Sequence, residues 1–437
     1  MRVESIIRNR IFWGLDSLKG NLIKKHLNDI RLILEDINSN GSMVRRSQLL
    51  KQVMKHAATT TPFYFRYKNH SGLRDFPVIK KSEVINLFDD FKSRLFLNSR
   101  NYKVSTSGST GIPFTIYHNK EKKYRNTAET IYFLEKNGYK VGERLYYLRM
   151  WSGETKSFFK TLTQNIVKID VYKLTDENIA SILNTIKKDP SFKSFIGIAS
   201  SFETICHYLK DANAPKMNIN ANFFIGNSDG LSPFTKKSIK KYFNAPIVSR
   251  YSNEEQGIIA QQEINSDDIF KINWASYFVE ILNFHDDAPA KEGETGRIVV
   301  TDLFNYAMPL IRYDTGDLGC YKILNGEMVL TKVEGRKMDA VYTTSGELLS
   351  PYAIYPRMQD YFDYFNQYQF IQTGVKEYLI KLNYKKDFLK ETEFKEHFKD
   401  LLGSDAKITV EYVNEIPVLL SGKRKRVMNL YHPKTSG

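Results

Sequence analysis

Between residues 121 and 250 the chain repeatedly changes its hydrophobic period, and that alternation constrains the fold more than any single motif. Helical spacing over 121–137, 176–187, 200–210 and 233–243 is interrupted by the short apolar runs RLYYLRM, SFIGIAS, ANFFIG and APIVSRYS. Apolar residues recurring at helical spacing mark one face of a helix, and short bounded apolar runs mark buried strands. Helices set between such strands, after a further helical stretch at 45–57, predict a layered α/β body. From about residue 270 only strand-like runs remain, YFVEILNF, GRIVVTDL and GEMVLTKV, separated by Gly and Asp turns. They predict an antiparallel β subdomain. Past EGRKMDAVYTTSGELLSP the pattern alternates again, with helix over 351–364, strands over 365–384, helix over 391–402 and strand over 406–412. We place the boundary at residue 336, giving a large domain of residues 1–335 and a small α+β lid of residues 336–437. A large body with a small hinged lid suits closure on a substrate.

Charge and cysteine usage narrow the function classes. With 64 Lys and Arg against 49 Asp and Glu, the net charge of +15 admits nucleic acid, an acidic membrane surface or an anionic small substrate such as a nucleotide. The lysines are spread along the whole length, and no paired aromatic–basic motif supports nucleic acid. No apolar run is long enough for a transmembrane helix, and the charged start MRVESIIRNRIFWGLDSLKG is not a secretory signal. Cys206 and Cys320 are too few for a disulfide framework or a zinc site, so a cytoplasmic protein without zinc is expected. Leu22, Ile23, Leu27, Ile30, Leu34 and Ile37 form an amphipathic helical stripe. It suits docking on the body; the alternative is a membrane-surface helix anchored by Phe12 and Trp13.

The chemistry-bearing stretches begin with STSGSTGI, residues 105–112. Gly108 and Gly111 free the backbone to bend, and Ser107, Ser109 and Thr110 add hydroxyl donors, which together can wrap a phosphate. A Walker loop would place lysine after the last glycine; here Ile112 and Pro113 follow. Read alone, such a Ser/Thr/Gly cluster is more often an ordinary linker than a ligand site. In RYSNEEQG, Tyr251 can stack on a base and Glu254 or Glu255 can hold magnesium; the plain alternative is a strand end followed by a charged helix start. In LIRYDTGDLG, Asp317 can accept from a ribose diol or be a β-turn aspartate. Arg336 of EGRK can donate to ribose or phosphate, and Lys423 of SGKRKRV is either functional or part of a basic surface tail.

In this order, the hydroxyl-rich loop, Y-x-x-x-E, GETGRIVVT, RYDTGDL, GR and a distal GK resemble the adenylate-forming ligase superfamily. The branch most similar is the phenylacetate–CoA ligase-like one, including CapK-type capsule-biosynthesis members. The resemblance spans about residues 45 to 430. It implies attack of a carboxylate on the α-phosphate of ATP, giving an acyl-AMP and pyrophosphate, followed by acyl transfer to CoA. An amine or hydroxyl acceptor in surface-polysaccharide synthesis is the alternative, and a degenerate nucleotide binder without turnover a further one.

On that resemblance, Ser107, Ser109, Thr110 and Gly111 hold the β- and γ-phosphates. Ser228, Asp229 and Gly230 of NSDG line the adenine pocket, with Asp229 replacing the usual glutamate. Tyr251 is the adenine-side aromatic, followed by Ser252, Asn253 and Glu254 along the nucleotide; Asp317 and Arg336 hold the ribose. Glu255 is the magnesium-associated glutamate and Lys423 the lid lysine that meets the α-phosphate. The cation missing from the loop would thus come from magnesium and Lys423. The chain departs from the family at Glu254, where Thr or Ser is usual, and at Met338, where an acidic hinge residue is usual. A homodimer is compatible with this reading.

Overall fold

The computed structural model describes residues 3–105, 114–149, 151, 164–172, 174–228, 230–264, 269–284, 286–334, 341–349, 353–361, 364–384, 388, 390–417 and 426–431. The chain divides into two compact units, Met1–Thr315 with Gly319–Val333, and Gly316–Leu318 with Glu334–Gly437.

The large unit opens with α1 (Val3–Leu18), α2 (Leu22–Leu34) and α3 (Asn40–Thr60), followed by the short α4 (Lys81–Asn86). The stripe on α2 turns inward: Leu27, Ile30 and Ile33 pack with Leu49 and Val53 of α3 and Ala128 and Ile131 of α5 (Lys120–Glu135). Phe12 and Trp13 pack against the same cluster. They serve the docked arrangement rather than a membrane anchor. The hairpin β1 (Tyr102–Ser105) and β2 (Thr115–His118) sets Ser105 opposite Thr115, bringing together the ends that flank residues 106–113.

The remaining strands of this unit are β3 (Arg144–Arg149), β4 (Ile166–Asp170), β5 (Lys193–Ile198), β6 (Ala221–Asn227), β7 (Ile247–Asn253), β8 (Gly257–Gln262), β9 (Phe270–Ile272), β10 (Tyr277–Leu282), β11 (Thr295–Asp302), β12 (Tyr313–Leu324) and β13 (Glu327–Glu334). They form one sheet of 11 strands in the order β10-β11-β12-β13-β9-β8-β7-β6-β5-β3-β4. From β4 to β7 the pairing is parallel. The crossovers are α6 (Asp176–Lys188), α7 (Ala199–Asp211) and α8 (Pro233–Phe243), whose apolar faces join one core with Phe195, Phe224 and Ile247. A burial pattern of six consecutive buried residues in β5 is what a strand covered on both faces requires. The α/β reading of this half therefore holds, helices included.

Three expectations change. The antiparallel part starts at the β7–β8 pairing, earlier than residue 270. The charged helix start offered for NEEQG is a tight turn into β8, and the glycine-bearing turns offered for YDTGDLG lie inside the continuous strand β12. Glu, Asp and Gly are poor strand formers by propensity, so cross-strand pairing decided both segments.

The small unit contains the hairpin β14 (Val341–Tyr342) and β15 (Leu348–Leu349), α9 (Ile354–Gln359), β16 (Phe365–Gln372), β17 (Glu377–Tyr384), α10 (Glu391–Leu402), β18 (Lys407–Tyr412) and β19 (Val427–Asn429). The four longer strands pair in the order β18-β17-β16-β19. Phe370, Ile380 and Leu382 pack with Phe394, Phe398 and Leu402 of α10 as its separate core. Among the described residues no helix is long and apolar enough to cross a membrane.

Candidate active site

β7 changes partners along its length. Ile247, Val248 and Ser249 pair in parallel with Phe224, Ile225 and Gly226, whereas Arg250 and Tyr251 pair antiparallel with Gln261 and Ala260. The sheet reverses there, at the carboxyl ends of its parallel strands, which is where open α/β sheets bind ligands. Tyr251 to Glu255 immediately follow the reversal, and Ser228 and Gly230 follow the end of the adjacent β6. Ser228 adopts φ 71°, a left-handed conformation uncommon outside glycine that clusters at functional sites.

The two quoted motifs interlock. The Tyr313 hydroxyl donates to Glu255 Oε1 at 3.1 Å, and the Tyr251 hydroxyl donates to Thr315 Oγ1 at 3.2 Å. Tyr313 and Thr315 occupy one face of β12 because strand side chains alternate. Thr315 in turn donates to the carbonyl of Ile298, and Arg312 clamps Glu280 through Nε and Nη2, each at 3.1 Å. The Tyr251 ring is buried in the core of the antiparallel half with Ile259 and Ile298.

Glu255 and its successor are held from below by buried polar groups. His118 Nε2 donates to the Glu255 carbonyl at 2.8 Å. Burial, followed by the nearby charge of Lys122, pushes the His118 pKa down to about 4, so the ring is neutral near pH 7. The Tyr277 hydroxyl donates to the Gln256 carbonyl and accepts from Lys122 Nζ at 2.9 Å. Lys122 also pairs with Asp302 at 2.8 Å, and both side chains are buried. Asn253 Oδ1 accepts from the Gln256 amide at 2.8 Å, closing the turn. Gly257 then takes φ +117°, and a Cβ there would stand 2.9 Å from the Tyr277 hydroxyl and 3.1 Å from Glu129 Oε2.

Of the residues singled out from sequence, the structure thus gathers Tyr251, Ser252, Asn253, Glu254 and Glu255 at the reversal, with Ser228 and Gly230 on the neighbouring strand end. Glu254 is exposed and Glu255 buried. Asp317 lies on β12, two positions past Thr315. Ser107, Ser109, Thr110, Gly111, Asp229, Arg336 and Lys423 lie outside the described residues, as does Met338. Sequence reading did not find His118, Lys122, Tyr277 or Tyr313, whose polar partners are far away in the chain.

The CapK C-terminal domain family matches residues 341–430. Protein CapK from Staphylococcus aureus is 21% identical over 452 aligned positions, covering 97% of this chain and 95% of that protein. The phenylacetate–coenzyme A ligase of Escherichia coli (strain K12) is 24% identical over 326 positions, covering 70% and 71% respectively. Among solved structures, 2-hydroxyisobutyryl-CoA ligase in the postadenylation state, in complex with R3-HIB-AMP, matches with a TM-score of 0.70 at 17% identity and 88% coverage of each chain. The chain is similar to CapK and to phenylacetate–CoA ligase over most of its length, and it shares the fold of the CoA ligases of the adenylate-forming group. That fold also accounts for its likeness to ATP-bound MatB from Rhodopseudomonas palustris, with a TM-score of 0.53, 16% identity and coverage of 73% and 65%.

Proposed function

We propose that this protein activates a carboxylic acid with ATP, releasing pyrophosphate, and passes the acyl group to CoA. The observation that carries the reading is the interlock of Tyr313 with Glu255 and of Tyr251 with Thr315 at the sheet reversal. It brings together the two motifs that the family resemblance assigns to nucleotide binding. The protein's part in the first step is alignment and neutralisation of charge, because the acid supplies the nucleophile and ATP the leaving group.

Glu255 suits magnesium. Among the described residues no group of three or more acidic, His or Cys side chains converges as a metal cage. Magnesium commonly binds through one or two carboxylates plus substrate phosphates, so a single oriented glutamate fits it. The ion would offset the negative charge of the phosphates. Ser107, Ser109, Thr110 and Gly111 are proposed to hold those phosphates, Asp317 and Arg336 the ribose, and Lys423 the α-phosphate during adenylation. CoA is favoured as acceptor by the phenylacetate–CoA ligase relative.

The test is ATP–pyrophosphate exchange across a library of carboxylic acids, then acyl transfer with CoA, amines and sugar hydroxyls offered to the best acid. Exchange with at least one acid is expected, and Glu255→Gln should reduce it by about 100-fold or more, as loss of an oriented electrostatic group does. A protein that binds ATP yet exchanges with no acid would be a nucleotide binder.

A further inference from the structure

Consecutive side chains on β7 point to opposite faces. Tyr251 enters the core of the antiparallel half. Arg250 goes the other way, onto the face where Val248 packs with Leu145, Ile196 and Ile225, and where Tyr147 lies against them. Arg250 is 6% exposed. Its Nε donates to Gln261 Oε1 at 2.6 Å, whereas its Nη2 is buried with no hydrogen-bond partner among the described residues.

Among the described residues, the charge on this side chain also lacks an anion. Burial lowers its pKa to about 10, which still leaves it protonated at neutral pH, and the phenol of Tyr147 is what offsets that lowering. Tyr147 meets Trp151 edge-on at 5.3 Å, and Arg149 and Lys168 lie 5.3 and 4.3 Å from the Trp151 ring. Among the described residues, Arg250 thus meets a neutral amide and a phenol, and no carboxylate. A buried guanidinium is ordinarily paired, because an uncompensated buried charge is strongly destabilising. Here it stands at the carboxyl end of the parallel strands, next in sequence to the residues proposed to bind nucleotide.

Resting on the adenylation reading, we propose that Arg250 determines acid specificity and that the acid carries a second carboxylate, which Arg250 binds through Nη2. The reacting carboxylate must reach the nucleotide, placed by that reading along Tyr251 to Glu255. A group meeting Arg250 lies across β7 from the Tyr251 ring and is therefore a different one. The planar guanidinium suits a carboxylate better than an ammonium does, because its N–H groups are fixed in a fork.

Full-length protein should be assayed by ATP–pyrophosphate exchange with acids paired on one skeleton: succinate against butyrate, terephthalate against benzoate, 4-carboxyphenylacetate against phenylacetate. In at least one pair the wild type should favour the diacid in kcat/KM by about 100-fold or more. Arg250→Gln should lower the diacid value far more than the monoacid value, and Arg250→Lys should restore part of the difference. A wild type that favours the monoacid in every pair, or an Arg250→Gln that loses both acids equally, would overturn the proposal. If no acid supports exchange, the adenylation reading fails first, and calorimetric titration of the diacids decides the fate of Arg250 separately. Binding by wild type that is lost in Arg250→Gln supports the anion site, and no binding by wild type overturns it. Should Arg250→Gln not fold, Arg250→Lys decides in both assays, with weakened diacid selectivity or binding expected and no change overturning the idea.

Discussion

Glu254 and Glu255 are chemically alike and meet opposite surroundings. Glu254 is exposed, while Glu255 is buried, takes a bond from Tyr313 on its carboxylate and one from His118 on its carbonyl. Position on the turn, not residue type, gives only the second a fixed orientation. His118 makes that orientation sensitive to acid. Above pH 6.5 it is neutral both folded and unfolded; between 6.5 and about 4 the unfolded chain binds a proton that the folded chain excludes. Stability should therefore fall as pH falls through this window, by about 3 kcal/mol in all. Thermal unfolding of His118→Gln against wild type across that range should show a shallower decline in Tm; identical slopes would place the loss elsewhere. At Gly257, substitution by Ala meets both a left-handed φ and the Tyr277 hydroxyl. A loss of about 2–4 kcal/mol is expected in denaturant unfolding, since strain and a core clash add.

Single elements show why some segments could be read from sequence and others could not. The helices over 176–188, 199–211 and 233–243 bury one face each, so their apolar spacing records the structure directly. β8 and β12 carry no such record, because Glu, Asp and Gly in and beside them are held by partners rather than by propensity. The same holds for the site. Its motifs were legible in order, but His118 is 137 positions from its partner and Lys122 is 155 from Tyr277, so no local spacing can reveal them. α5 is the element that delivers Lys122 to Asp302 and Tyr277. Lys122→Met removes one member of a buried ion pair and should cost about 3–5 kcal/mol, whereas the paired change with Asp302→Leu should recover much of it. A double-mutant cycle measures this, and strict additivity would show that the pair is uncoupled.

For the molecule as a whole, each compact unit has its own core, and the proposed chemistry draws on residues of both. Lys423 falls within residues 341–430, which match the CapK C-terminal domain family. Lys423→Ala should abolish acyl-AMP formation while circular dichroism and Tm stay at wild-type values; normal adenylation would remove the lysine from the reaction. ATP affinity should survive that change but weaken in Asp317→Ala, which calorimetry can separate. The strand that runs from Ile247 to Asn253 has a consequence for how such a protein can vary. It is stitched to unlike neighbours on its two sides, so neither neighbour can accommodate an added residue on its own. One extra amino acid ahead of position 250 would rotate everything after it by half a turn, sending a cation into the oily interior and a phenol to where the cation had been. Length here is therefore as constrained as chemistry, and lineages can be expected to exchange side chains along this stretch while leaving its spacing untouched.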